Sequence, residues 1–117
     1  MRMKRIIALA LLASPAIADA PDIGPVEASL ADGSWTFDVT LTHPDTGEEH
    51  YADAWRVETP DGEVLGTREL LHPHVNEQPF TRSLSGVAIP EDMTEVVIRA
   101  SCNVDGWADE TFILPLP

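Results

Sequence analysis

The sequence predicts an all-β protein. After Pro25, apolar residues alternate with polar ones at a period of two, which is typical of strands that bury one face. Residues that favour turns recur about every eight to twelve positions, and no segment of this part shows the 3.6-residue period of a helix. Short antiparallel strands spaced in this way favour a seven-stranded sandwich of the immunoglobulin or fibronectin type, with a small antiparallel barrel as the alternative.

The first three predicted strands have the clearest patterns. Residues 26–30 alternate in polarity, and an Asp-Gly pair follows them as a tight turn. Residues 35–42 form a half-buried strand that ends at a His-Pro-Asp-Thr-Gly turn, and residues 51–59 form the third strand. Trp35 and Trp55 lie on the buried faces of these strands, so we expect both in the core.

Four further strands complete the prediction. They cover 63–71, 79–87, 95–102 and 110–114, and turn residues separate them. The prolines at 115 and 117 end the domain, because proline has no N–H to donate to a β-ladder.

The N-terminus has the order of a secretory signal peptide. A short basic start is followed by the apolar run 6–13, and then by a small-x-small cleavage site that ends at Ala18. The apolar run is well short of the roughly 20 residues that span a bilayer. We therefore expect 1–18 to be removed on export to the periplasm, 19–24 to be a flexible lead-in and 25–117 to be the β-sandwich domain. No cysteine lies near the cut, so a lipid anchor is not expected.

The chain is strongly acidic. Its net charge is −13, and removal of 1–18 takes away three of the seven basic residues and none of the 20 acids, which leaves 4 − 20 = −16. Such a surface repels nucleic acid and anionic lipid, so neither nucleic-acid binding nor membrane insertion is expected. It is explained either by a solvated surface suited to a salty habitat or by a cation-binding surface.

The predicted strand order brings three connections to one end of the domain. If successive strands are antiparallel, the connections 43–50, 72–78 and 103–109 share that end. Binding residues concentrate on loops that a rigid scaffold holds, so this end is the candidate functional face. It carries His43, His50, His72, His74, Asn76, Glu77, Asp105, Trp107 and Asp109.

The segment His72-Pro73-His74 is the sharpest chemical pattern at this end. Proline favours an extended backbone before it, and residues two apart in extended chain point the same way. The two imidazoles could then grip one ion, with His43 or His50 as a third ligand and Glu77 or Asp45 as an oxygen donor. Imidazole-rich sites suit copper or zinc. The alternatives are histidines held by structural hydrogen bonds, or a pH-sensing role.

Two other features of this end remain open in the sequence. Cys102 is the single cysteine, and its parity points inward, so it is expected to be a buried inert thiol or, at the end of its strand, a metal ligand. Asn76, Glu77, Asp105 and Trp107 are a candidate binding surface for a periplasmic protein. The two functional hypotheses are a copper or zinc carrier and a metal-free interaction module. No nucleophile and base pair can be assembled, so an enzyme is not expected.

Two segments carry a resemblance to a known family. The strand Asp53-Ala54-Trp55 and the segment LHPHVNEQPF at 71–80 resemble a family of small exported proteins of Gram-negative bacteria that has no assigned function. In size and compartment the chain more loosely resembles the periplasmic copper-carrier sandwiches. Those carriers use a histidine near the mature N-terminus or a methionine-rich loop, whereas this mature chain starts at Asp19 and has one methionine.

Overall fold

The computed structural model describes residues 20–117. The predicted signal peptide at 1–18 lies outside the described residues. The described part of the chain is all-β, as expected, and none of it is helical, so it has no helix that could cross a membrane. Its eight strands are β1 (Asp22–Ala31), β2 (Ser34–Thr42), β3 (Ala52–Glu58), β4 (Val64–Glu69), β5 (Phe80–Val87), β6 (Glu95–Cys102), β7 (Gly106–Trp107) and β8 (Phe112–Pro115).

The strands form two antiparallel sheets. One has the order β1-β2-β5, and the other has the order β4-β3-β6-β7, with β8 also paired to β6. Residues of β6 that pair with β3 also pair with β7 or β8, so β7 and β8 must share the edge of β6 that faces away from β3. Eight strands therefore fill seven positions. The added strand, Gly106–Trp107, is too short to give a periodic signal in the sequence.

The first strand begins at Asp22, inside the segment expected to be a flexible lead-in. Asp22 pairs with Thr42, and the register shifts between Ile23 and Val26. Gly24 lies at this irregularity with a φ of 131°, a conformation that favours glycine. The bulge interrupts the alternation of polarity, which explains why the pattern in the sequence starts only after it.

One core lies between the two sheets. The alternating positions expected to face inward are buried on both sides of it, including Phe37 and Leu41 of β2, Val57 of β3 and Ile98 of β6. Full burial of a side chain of this kind contributes about 1.5–3 kcal/mol. Both expected core tryptophans are confirmed, because Trp35 is 8% exposed and Trp55 is fully buried.

The core positions the loops at one end of the molecule. His43 directly follows β2, and Cys102 is the last residue of β6. The three predicted connections at this end are linked by hydrogen bonds. The backbone N–H of His43 donates to Gln78 Oε1 at 2.9 Å, and Asn103 Nδ2 donates to the carbonyl of Glu48 at 2.9 Å. The structure therefore brings the predicted loops together.

Candidate metal centre

Two histidines and the cysteine converge where the loops meet. His43, His50 and Cys102 each offer one ligand atom, and these atoms all lie within 4.8 Å of one another. Each atom comes from a different place in the fold: the end of β2, the loop before β3, and the end of β6. In the described part of the chain, this is the group of three or more such side chains that could hold a metal ion.

His43 is fixed with one ring nitrogen free. The side chain is fully buried, and its Nδ1 lies 2.6 Å from Asp45 Oδ1. A carboxylate accepts hydrogen bonds only, so Nδ1 carries a proton, and in the neutral tautomer the lone pair is on Nε2. That Nε2 is buried and has no hydrogen-bond partner. A histidine oriented by a carboxylate through one nitrogen, with the other nitrogen free, is the usual arrangement of a metal ligand.

Asp45 is an orienting residue, because both its oxygens are engaged by the protein. Oδ1 also accepts the N–H of Ala52 at 3.0 Å, and Oδ2 accepts the N–H of His74 at 2.8 Å. Burial alone would raise the pKa of Asp45. The hydrogen bonds from His74, His43 and Ala52 outweigh it and hold the pKa below its ordinary value of 3.8. The carboxylate is therefore ionised at neutral pH and keeps the His43 ring in one orientation.

Cys102 faces His50 and Asp105. Its Sγ lies 3.7 Å from His50 Nε2, and it accepts the backbone N–H of Asp105 at 3.3 Å. A nitrogen and a sulfur on one tetrahedral zinc ion, with bonds of about 2.0 Å and about 2.3 Å, are about 3.5 Å apart. The separation of His50 and Cys102 thus suits a shared ion. The thiol also donates a hydrogen bond to Asp105 Oδ2 at 3.7 Å, so a carboxylate lies beside the sulfur.

The structure places His72 and His74 in a different environment. Their ring centroids are 4.9 Å apart, but His74 Nε2 lies 2.9 Å from Arg82 Nη2, and the His74 ring stacks on Phe80 at 3.9 Å. His72 is exposed, and its Nδ1 lies 3.2 Å from the carbonyl of Pro73. A guanidinium on the His74 ring nitrogen competes with a cation for that lone pair. The pair is therefore a poorer ligand set than the His43, His50 and Cys102 cluster.

Burial, with the charges of Arg82 and His72, lowers the pKa of His74 below its ordinary value of 6.5. His74 is then neutral at pH 7, which is consistent with its Nε2 accepting a hydrogen bond from Arg82. Its role in the structure is to anchor the connection 70–79, through its ring stacking and its backbone N–H.

The residues predicted as a binding surface are spread around this end. Asn76 is exposed, and the exposed Glu77 lies 3.4 Å from Arg82 Nη2. Trp107 is 38% exposed, and the guanidinium of Arg56 lies 4.0 Å from its ring centroid. Glu77 and Trp107 therefore already contact arginine side chains of the protein. Asp105 contacts Cys102 Sγ through its backbone N–H and its Oδ2.

Two functional roles are difficult to read in the sequence. The inward parity of Cys102 correctly predicts burial, since the residue is 1% exposed, but parity does not show which side chains face the sulfur. The orienting role of Asp45 follows from hydrogen bonds to residues up to 29 positions away. The available signal is local: Asp45 is two residues from His43, in the loop that also carries His50.

A relative of this chain is a protein of the halophilic archaeon Halomicrobium mukohataei named "Putative lipoprotein". The sequences are 46% identical over 78 residues, which are 67% of this chain and 38% of the relative. The chain thus spans well under half of the relative's length. No family model matches the chain, and no solved structure matches it.

Proposed function

We propose that this chain is an exported, non-enzymatic metal-binding protein that holds a copper or zinc ion through His43, His50 and Cys102. Two observations carry the proposal: a ring nitrogen of His43 lies within 4.8 Å of ligand atoms of His50 and Cys102, and the buried Nε2 of His43 has no hydrogen-bond partner in the described part of the chain. A buried nitrogen without a hydrogen bond costs free energy, typically about 1–3 kcal/mol. A bound ion would offset that cost.

The donor set supports copper or zinc over harder ions. Thiolate and imidazole bind copper and zinc, whereas magnesium and calcium require mainly oxygen ligands. The acidic surface, at −16 after removal of 1–18, would also raise the local concentration of cations.

Two observations support export. The order of basic, apolar and small residues at the N-terminus is that of a signal peptide. The name of the archaeal relative also describes a lipoprotein, which is an exported class of protein. We propose the periplasm, or the equivalent space outside the cytoplasmic membrane, as the place where the chain acts.

The strand order supports a fibronectin-type sandwich. In the constant-type immunoglobulin fold, the fourth strand joins the sheet of the first, second and fifth strands. Here the fourth strand, β4, pairs instead with β3 in the other sheet. With β7 and β8 counted as one interrupted strand, the order is that of a seven-stranded sandwich whose fourth strand has changed sheets.

Calorimetric titration of the purified protein with Zn(II) and Cu(II) tests the proposal. We expect binding that is lost or weakened at least 100-fold in His50→Ala and in Cys102→Ser, because each variant removes a ligand. His72→Ala removes a ring of the competing histidine pair and should keep the affinity of the unaltered protein. Loading with Co(II) adds a direct readout, since a thiolate ligand gives a charge-transfer absorption in the near ultraviolet that Cys102→Ser should abolish.

The opposite pattern would contradict the site. If His72→Ala abolished binding and His50→Ala did not, the ion would be held by the His72 and His74 pair. If the folded protein bound neither ion, the metal-binding function would be excluded. Circular dichroism of each variant establishes that the fold is retained.

A metal-free interaction module is the second candidate. Apolar side chains project at the same end of the molecule, where Leu71 is 82% exposed, Val104 59% and Val75 49%. Exposed apolar residues on loops are typical of binding surfaces. This function predicts that Leu71→Ser impairs the capture of a partner and leaves metal affinity unchanged.

A further inference from the structure

A closed ring of hydrogen bonds joins the candidate metal centre to the connection 70–79. The N–H of His43 donates to Gln78 Oε1 at 2.9 Å, and Gln78 Nε2 donates to the carbonyl of His74 at 2.9 Å. The N–H of His74 donates to Asp45 Oδ2 at 2.8 Å, and Asp45 Oδ1 accepts from the ring of His43 at 2.6 Å. The ring thus begins and ends on a proposed ligand.

Three of the four members of the ring are buried, and the fourth, Gln78, is half-buried. His43 is 1% exposed, and Asp45 and His74 are 6% exposed each. Hydrogen bonds in such an environment are electrostatically stronger than in water, and members of a closed network polarise one another. A displacement of one member is therefore transmitted to its neighbours instead of being absorbed by solvent.

We infer that metal binding at His43 and the conformation of the connection 70–79 are coupled through this ring, with Gln78 and Asp45 as positioning residues. The inference rests on the proposed function. An ion on His43 Nε2 fixes the imidazole, which fixes Asp45 through Nδ1. The carboxylate in turn holds the N–H of His74. The opposite end of the same connection is held by Gln78, against the backbone of His43.

The coupling is reciprocal. If the ion stabilises the hydrogen-bonded arrangement of the connection, then that arrangement must bind the ion more tightly by the same factor. The side chain of Gln78 hydrogen-bonds to backbone groups of His43 and His74 and to none of the proposed ligand atoms. An effect of Gln78 on metal affinity would therefore act through the position of the ligands.

Amide hydrogen exchange of the purified protein, with and without Zn(II), measures the first half of the coupling. Zn(II) is suitable because it has no redox chemistry. We expect exchange at His74 and at 75–78 to slow at least severalfold when Zn(II) is added, whereas the turn at 60–63, at the opposite end, keeps its rate. His50→Ala should abolish the protection, because it removes a ligand without touching the ring.

The second half is measured by the Zn(II) affinity of Gln78→Ala. We expect a loss of about 10-fold to 100-fold, the range of substitutions that act through ligand orientation. Val75→Ala, an exposed position of the same connection, is the matched control and should change the affinity less than twofold.

The outcomes separate the two proposals. Zn(II) binding with unchanged exchange at 74–78 would overturn the coupling and leave the metal site standing. Equal Zn(II) affinities of Gln78→Ala and Val75→Ala would also overturn the coupling and leave the metal site standing. Failure of the unaltered protein to bind Zn(II) at all would overturn both. The exchange experiment needs no substitution in the ring, so it stands even if Gln78→Ala does not fold.

Discussion

At the scale of single residues, Glu58 is a buried carboxylate outside the candidate metal centre. Its side chain is 2% exposed and is bridged by Arg56 Nε at 2.7 Å and Arg99 Nε at 2.9 Å. Burial alone would raise the pKa of Glu58. The hydrogen bonds and charges of the two arginines outweigh it and keep the pKa below its ordinary value of 4.5. The folded state therefore stabilises the ionised form.

The stability of the protein should fall in acid through Glu58. Because its pKa is lower in the folded state, its contribution is complete above about pH 4.5 and is lost as the pH falls through the folded-state pKa. We expect Glu58→Gln to destabilise the fold by about 1–3 kcal/mol at neutral pH, since it leaves charged partners incompletely paired. The difference in the free energy of unfolding between Glu58→Gln and the unaltered protein should become smaller in acid. Urea unfolding at about pH 7 and about pH 3 measures both quantities.

Glu63→Gln is the control for that experiment. Glu63 is an exposed acid in the neighbouring turn, so its removal should change stability little at either pH. A Glu58→Gln deficit that is the same at both pH values would contradict the electrostatic explanation and point to packing.

Single residues also mark the limit of what the sequence can predict about the site. The spacing of His72 and His74 is visible in the sequence, and it correctly suggests that their rings approach each other. Which ring nitrogen is free depends on the side chains that pack around each ring: Arg82 engages Nε2 of His74, whereas Asp45 engages Nδ1 of His43 and leaves its Nε2 free. Such partners are set by tertiary packing, which local spacing does not encode.

At the scale of elements, periodicity predicts the strands well. All seven predicted strands have a counterpart, and the boundaries of 95–102 agree with β6. The differences lie where side chains give no alternating signal. Gly106–Trp107 has only two residues, and the start of β1 is hidden by the bulge at Gly24. Both are recognised only through the backbone pairing of a neighbouring strand.

A close approach between the sheets gives a test of the packing. Gly66 of β4 faces β5 of the other sheet, where an added Cβ would lie 3.0 Å from Leu84 Cδ2 and 3.4 Å from Val87 Cγ2. Gly66→Val should therefore destabilise the protein by about 1–3 kcal/mol, the usual cost of overpacking. Chemical unfolding measures this cost.

Thr67→Val places the same side chain on the exposed face one residue along β4 and is the matched control. It should change stability by less than about 0.5 kcal/mol, as surface substitutions usually do. Equal effects of the two variants would show that the sheets are not in close contact at Gly66.

At the scale of the whole molecule, the charge imbalance should make the fold depend on salt. Four basic residues face 20 acids after removal of 1–18, so the surface repels itself. Screening shortens the range of that repulsion from about 10 Å at 0.1 M salt to about 3 Å at 1 M. We expect the midpoint of thermal unfolding to rise between these NaCl concentrations, as followed by circular dichroism.

A variant with fewer acids separates charge from other effects of salt. Asp61→Asn, Glu63→Gln and Asp92→Asn together remove three exposed negative charges from the end opposite the candidate metal centre. This triple variant should unfold at a higher temperature in low salt and gain less from added NaCl. If NaCl raised the unfolding temperature of the triple variant as much as that of the unaltered protein, the salt would act on the burial of apolar surface instead of on charge.

The chain has a single sulfhydryl group, and the fold places it at the junction of the loops. A thiol-reactive dye therefore labels a single site on the molecule, without the background that other cysteines would give. The rate at which the dye reacts measures how often that junction opens to solvent. Labelling kinetics thus turn Cys102 into an internal probe of the site in the natural sequence, with no engineered residue.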